Sequence, residues 1–169
     1  MNPVRDQSCT VRRAGVAESG AALRILLEAA EWGAERGTHI WTDAELRTID
    51  YSAAAAAGEL ALGYEGSDAA ATMLLQSGDP IYWPDDPPGL ALYIHKVAVR
   101  RAYAGRDWLS RLIAFAVDEA RGRQISLLRM DTILRPQLQS MYERHGFAVV
   151  VGPPIIRAGR QMIRMERWL

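Results

Sequence analysis

The sequence predicts an α/β (α+β) fold in which helices flank a mixed, mostly antiparallel central sheet. Three observations lead there. Segments with strand-like alternation and segments with helical spacing take turns along a chain of 169 residues. The one clear loop, "SGDPIYWPDDPPG" (77–89), is rich in Pro, Gly and Asp. Beyond it, strand, helix, strand, short helix and closing strands follow one another closely.

In chain order, "CTVRRA" (9–14) reads as a short strand. From Ala17 to about Arg36, Leu23, Leu26, Leu27 and Ala30 recur at helical spacing, and Gly37 ends that helix. Thr42 with Glu45 makes a capping box for a second helix, predicted to run through the alanine block to Gly58. Two strands follow, 59–65 and 69–76, with Gly66-Ser67-Asp68 as a hairpin turn. The 77–89 loop carries Tyr82 and Trp83, which either form a substrate lip or anchor the loop in the core; anchoring is the expectation. "LALYIHKVAV" (90–99) is a long strand, 105–121 a helix, 124–131 a strand rich in large apolar residues. "PQLQSMYERHG" (136–146) is a short helix between Pro136 in its first turn and Gly146 after its end. "FAVVVG" (147–152) and "RQMIRMERW" (160–168) close the sheet, joined by a Pro-Pro loop.

This length fits a single domain, 1–169, and buries enough surface that no covalent staple is needed. Twenty basic side chains balance twenty acidic ones, so the positive field of a nucleic-acid binder is missing and nucleic acid is not an expected partner. Cys9 is the only cysteine, which excludes an intramolecular disulfide; it reads as a partly buried strand residue. Three histidines without a spacing pattern suggest no metal. The polar start "MNPVRDQSCTVRRAG" lacks a signal-peptide core, and "YSAAAAAGELALG" is too short to span a bilayer. A cytoplasmic protein with no membrane partner is expected.

Chemistry concentrates at "VAVRRAYAGRD" (97–107), where a strand passes through a turn into a helix start. Such a junction points free N–H groups and the positive end of a helix dipole at one spot, which favours phosphate. Gly105 lets a ligand approach the backbone, and Arg100, Arg101 and Arg106 add charge that Asp107 partly removes. No Gly-Lys-Ser/Thr follows, and the further glycines of a dinucleotide fingerprint are missing. By period-two alternation His95 shares a strand face with Tyr93, Val97 and Val99. It could take a proton there or be a core histidine satisfied by a neighbouring carbonyl. His145 fits a helix cap, and nothing argues for a role of His39.

The order strand, Arg/Gly turn, helix, strand "LLRMD", then "MYERHGF" resembles the GNAT superfamily of acyl-CoA-dependent N-acyltransferases, best over residues 90–151. "YWPD" is similar to the stretch before the long strand in some bacterial members. The resemblance implies that Val97, Ala98 and Val99 offer their backbone to the pantetheine arm of acetyl-CoA, the co-substrate. It implies that Arg100, Arg101, Ala104, Gly105, Arg106, Asp107 and Trp108 surround the pyrophosphate. Of the family's motif positions, here Ala102, Gly105 and Asp107, only the central glycine is kept. The nearby arginines would offset Ala102, while the Asp107 carboxylate must turn away or pair with an arginine.

The implied chemistry is acyl transfer from a thioester to an amine. A strand N–H near Val97 would receive the oxyanion. Tyr142 matches the family's general acid for the departing thiolate, and His95 is the candidate base. The alternative is a helix-face aromatic packed with Leu138 and Met141; with the resemblance, the acid role is the expectation. Trp32 and Trp41 read as core or as acceptor-pocket walls, with core packing expected, and "DDPP" (85–88) as a solvated turn or a cation attractant. The expected partner is a small-molecule or peptide amine, with a homodimer possible by family analogy. The alternatives are a non-catalytic CoA-binding module of the same fold and a module binding another phosphate or nucleotide.

Overall fold

The computed structural model describes residues 9–169; the expectation about the polar N-terminus rests partly on residues before these and lies outside them. The elements are β1 (Cys9–Arg13), α1 (Ser19–Glu35), α2 (Asp43–Arg47), α3 (Tyr51–Ala56), β2 (Leu60–Glu65), β3 (Asp68–Gln76), β4 (Leu92–Val99), α4 (Trp108–Gly122), β5 (Leu127–Ile133), α5 (Pro136–Glu143), β6 (Ala148–Val149), β7 (Ile155–Arg157) and β8 (Arg160–Trp168). Single 3₁₀ turns precede α1 and α4, at Val16–Glu18 and Arg101–Tyr103.

The eight-stranded sheet has the order β1-β2-β3-β4-β5-β8-β6, with β7 paired to β8. β4 and β5 run parallel; β1–β2, β5–β8, β6–β8 and β7–β8 are antiparallel. Helices flank the sheet, as the alternation of periodicities predicts. No helix among the described residues is long and apolar enough to cross a membrane.

The chain forms two compact units. One comprises the described residues up to Met73 with Lys96–Leu112; the other comprises Leu74–His95 with Ile113–Leu169. In the first, α1 packs against α2 and α3. Glu18, just before α1, joins three segments of this unit. Its carboxylate takes the Arg12 guanidinium at 2.6 and 2.9 Å, the Tyr64 hydroxyl at 2.6 Å and the Gly15 amide at 2.8 Å. The Arg12 and Tyr64 bonds hold its pKa down to about 2. In the second unit, Tyr82, Trp83, Ala91, Tyr93 and Leu127 form a buried cluster.

The structure differs from expectation at several elements: the strand predicted over 147–152 is only Ala148–Val149, the helix predicted from 105 starts at Trp108, and three further places differ as follows. The helix predicted over 42–58 is two. Thr42 caps α2 with the expected box, accepting the Glu45 amide at 3.1 Å while Glu45 accepts the Thr42 amide at 2.7 Å. Asp50 then starts α3 by accepting the Ala53 amide at 2.9 Å, a competing side-chain cap inside the alanine-rich pattern. The strand predicted at 124–131 begins at Leu127 and runs to Ile133, because the Gln124 and Ile125 amides still bond to the end of α4. The Pro-Pro loop contains β7, returned into β8 by Ala158 and Gly159, both at positive φ (47° and 72°), as a tight hairpin requires.

One close approach fixes the start of α4. Trp108, its first residue, is 2% exposed. A Cβ on Gly63 of β2 would lie 2.6 and 2.8 Å from carbons of the Trp108 ring. The glycine therefore makes room for the indole. Gly63→Ala is expected to destabilise the protein by about 1–3 kcal/mol through overpacking, read by denaturant unfolding. An unchanged midpoint would show that Trp108 does not depend on this contact.

Candidate active site

The parallel ladder of β4 and β5 pairs Leu92 with Leu128, Tyr93 with Arg129 and Ile94 with Met130. Alternation then separates the side chains. Leu92, Ile94, Leu128 and Met130 are buried apolar groups, while Tyr93, Arg129, His95 and Asp131 share the opposite parity. Continuing the same stagger brings His95 level with Asp131, and His95 Nδ1 lies 3.1 Å from Asp131 Oδ1. An ionised carboxylate only accepts, so Nδ1 carries the hydrogen and the lone pair of the neutral ring sits on Nε2.

Nε2 lies 3.7 Å from Asp79 Oδ2, too far for a hydrogen bond. Asp79 belongs to the 77–89 loop and is 6% exposed. Its Oδ1 accepts the amides of Ile81 at 3.0 Å and Tyr82 at 3.1 Å, a turn held by its own side chain. Oδ2 is buried without a hydrogen-bond partner among the described residues. Ligand atoms of Asp79, His95 and Asp131 lie within 4.8 Å of one another.

The loop around Asp79 is anchored, as expected, rather than a free lip. Tyr82 and Trp83 are 8% and 5% exposed. Arg129 and Arg164 lie over the Trp83 ring at 4.0 and 5.0 Å from its centroid. Asp86 is no solvated turn residue: it accepts from Arg129 and, at 2.5 Å, from the Tyr93 hydroxyl. Burial opposes its ionisation, but Arg129 and Tyr93 outweigh this and hold its pKa below the usual value. Tyr93 is pushed up to about 12 by burial and by Asp86. Arg129 also reaches Glu166 at 3.3 Å.

Tyr142, in α5, is 8% exposed and stands edge-on to Phe147 with ring centroids 6.2 Å apart. Burial, and secondarily the charge of Asp131, raises its pKa, so the phenol stays protonated through the neutral range. His145 Nδ1 bonds the Met141 carbonyl at 2.8 Å at the end of the same helix, in keeping with a cap.

The strand-to-helix junction belongs to the first unit. Lys96 has a left-handed φ of 52°, so period-two alternation does not carry across it; the expected common face of His95 with Val97 and Val99 loses its basis there. Trp41 lies under the Lys96 ammonium, and Trp32 under Arg36 and Arg101. Both tryptophans are half-buried rather than core residues, because cations cover their faces.

Gly105 has φ 77°, and a Cβ there would meet nothing within 4 Å, so the turn is open to a ligand. The amides of Gly105, Asp107 and Trp108 make no hydrogen bond among the described residues and lead into α4. These features fit a pyrophosphate cradle. The expected arginine compensation is different: Arg100 pairs with Glu28 at 2.9 Å, Arg101 with Glu35 at 3.7 Å and Arg106 with Glu65 at 2.7 Å. Glu28 also accepts the Arg101 amide at 3.0 Å. Asp107 turns its carboxylate to the Ser110 hydroxyl, 2.5 Å away, and has φ 61°. What this junction offers an anion is therefore main-chain N–H groups and the dipole of α4 more than side-chain charge.

Residues 85–169 match the family described as the acetyltransferase (GNAT) domain. The chain belongs to this family. An uncharacterized N-acetyltransferase of Bacillus subtilis (strain 168), YesJ, is 25% identical over 130 residues, covering 73% of this chain and 72% of that protein. A GNAT-family acetyltransferase from Listeria monocytogenes has the same fold, with TM-score 0.75, 24% identity and coverage of 95% of both chains. The PaiA N-acetyltransferase of Thermoplasma acidophilum, solved with coenzyme A, matches with TM-score 0.69 and 12% identity over 96% of this chain and 99% of that one.

Neither Asp79 nor Asp131 is among the site residues that the sequence suggests. The parity Asp131 shares with Arg129 in "LRMD" places it on a polar strand face but does not reveal its partner, and Asp79 was hidden in a turn-forming Ser-Gly-Asp-Pro run. Because Arg129 joins Asp86, Glu166 and Trp83, Arg129→Ala is expected to cost about 3 kcal/mol, the low end for a broken buried pair. Trp83 fluorescence should shift to longer wavelength. Native stability with an unshifted spectrum would show that the loop is held by other contacts.

Proposed function

We propose that this GNAT-family protein transfers an acetyl or other short acyl group from acyl-CoA to a primary amine, by direct attack in a ternary complex. The observation that carries the reading is the His95–Asp131 pair, which leaves Nε2 as the ring's proton acceptor. Two groups divide the proton work. His95 takes a proton from the acceptor amine, whose nitrogen then forms the new C–N bond. As the C–S bond breaks, the buried, protonated Tyr142 phenol gives its hydrogen to the thiolate and is recharged from solvent. Asp131 is a positioning residue: it fixes the ring and stabilises the imidazolium without touching the acceptor.

For the acyl donor, the open turn at Gly105 and the amides of Asp107 and Trp108 would receive the pyrophosphate, with Val97, Ala98 and Val99 along the pantetheine. Acetyl-CoA supplies the activated thioester. The acceptor is a small-molecule amine or a peptide amine.

The three arginine–carboxylate pairs favour a second reading, a CoA-binding module without turnover, because they spend the positive charge that a tight donor site would use. One assay separates the two: release of CoA thiol from acetyl-CoA with a panel of primary amines and peptide N-termini. Tyr142→Phe is expected to lower kcat by about 100-fold or more, and His95→Gln comparably, with CoA affinity retained. Full activity of Tyr142→Phe would remove the phenol from the mechanism. CoA binding without thiol release on any amine would support the module.

A further inference from the structure

The β7–β8 hairpin breaks a pairing rule. Arg157 and Arg160 stand directly opposite each other, joined only by Ala158 and Gly159. Their side chains leave the same face about 5 Å apart, where like charges destabilise a ladder. The surrounding sequence does not offset them: residues 144–169 hold five arginines and one acidic side chain, Glu166, which Arg129 already engages. The exposed Arg157 guanidinium makes no hydrogen bond or ion pair among the described residues. Such a pair suits an anion bound from outside, because guanidinium forks match the oxygens of a carboxylate.

The register ties this hairpin to the His95–Asp131 pair within the second compact unit. Arg164 of β8 stands opposite Asp131, and Met162 and Arg160 follow on the same face. Ile155 and Met162 of that face pack against the cluster of Tyr82 and Trp83, and Arg164 bonds the Tyr82 carbonyl at 3.4 Å. The Tyr82 hydroxyl makes no hydrogen bond among the described residues. Burial and then Asp131 push its pKa up to about 12, with Asp79 adding to the rise and Arg157 and Arg160 opposing it. One phenol therefore feels both the carboxylates beside His95 and the arginine pair, and it keeps its hydrogen to donate. The two ends are well separated. Arg164 to Arg160 is about 13 Å along the strand, and β4 to β8 is about 10 Å across two strand spacings. Long side chains shorten this gap without closing it, so a ligand that spans both ends needs its charged groups several bonds apart.

We propose that the acceptor is an amino-carboxylate: a primary amine for His95 that carries, several bonds away, a carboxylate held by Arg157 and Arg160 with Tyr82 as a further donor. This rests on the acyl-transfer reading and names its substrate class. The amine nitrogen takes the acyl group from sulfur, while the carboxylate only binds and makes no new covalent bond. Free ω-amino acids and short peptides share this chemistry.

The test measures CoA thiol release from acetyl-CoA with linear ω-amino acids from 4-aminobutanoate to 8-aminooctanoate, each beside its carboxamide. Triglycine and its amide form the peptide arm. With the wild-type protein, KM of the acid should be lower than that of its amide by about tenfold or more in at least one pair. Arg157→Gln, at an exposed side chain, should cut this preference by about threefold or more, and adding Arg160→Gln should abolish it. A preference confined to triglycine would assign the site to peptides, and one confined to the linear acids would assign it to free amino acids; both support the proposal. Equal KM values for acid and amide in every pair would overturn it whether or not the variants fold. A folded double variant with an undiminished preference would overturn it too. In both cases acyl transfer itself would stand, whereas no thiol release with any member of the panel would remove the parent reading and this one together.

Discussion

The parallel register of β4 on β5 is the constraint on which the His95–Asp131 pair, and the proton chemistry proposed for it, depend. Its stagger sets Tyr93 opposite Arg129 and, one step of the same parity on, His95 beside Asp131. A slip of one residue would turn the whole polar set to the apolar face. The buried Leu92, Ile94, Leu128 and Met130 oppose such a slip, so burial on one side of the ladder fixes a hydrogen bond on the other. The 77–89 loop depends on the same ladder: Arg129 and Tyr93 bind its Asp86, and Arg129 lies over its Trp83. A loop held that firmly can hold Asp79 in a fixed place.

The junction at 97–108 solves a different problem with different means. Its arginines are paired with glutamates, and Asp107 is bonded to Ser110, so side-chain charge is largely neutralised within the protein. What remains for an anion is geometry: an open turn at Gly105, amides without partners among the described residues and the positive end of α4. The burial of Trp108 against Gly63 holds the start of that helix. The Asp107 carboxylate is thus engaged by a side chain in the first turn of α4.

Much of the fold was legible because its signals are local. The Thr42 box, Pro136, Gly146 and the alternation of "LYIH" and "LRMD" each act within a few residues. The split between α2 and α3 was missed because Asp50 caps against a strongly helical alanine background. β7 was missed because its pairing needs positive φ at Ala158, a non-glycine. For the site, Tyr142 and His95 came from the family resemblance and from residue chemistry. Asp131 and Asp79 did not, because each matters only through a neighbour 36 or 16 residues away in the sequence, from His95. The arginine pairs escaped for the same reason: their glutamates lie on other elements.

The most direct test of this account is the tautomer of His95, read from the ring ¹⁵N shifts of histidine-labelled protein at a pH where the imidazole is neutral. The account predicts a hydrogen on Nδ1, held by Asp131, and a bare Nε2, with this preference weakened in Asp131→Asn. A hydrogen found on Nε2 instead would contradict it, because the ring could then not accept a proton from the amine.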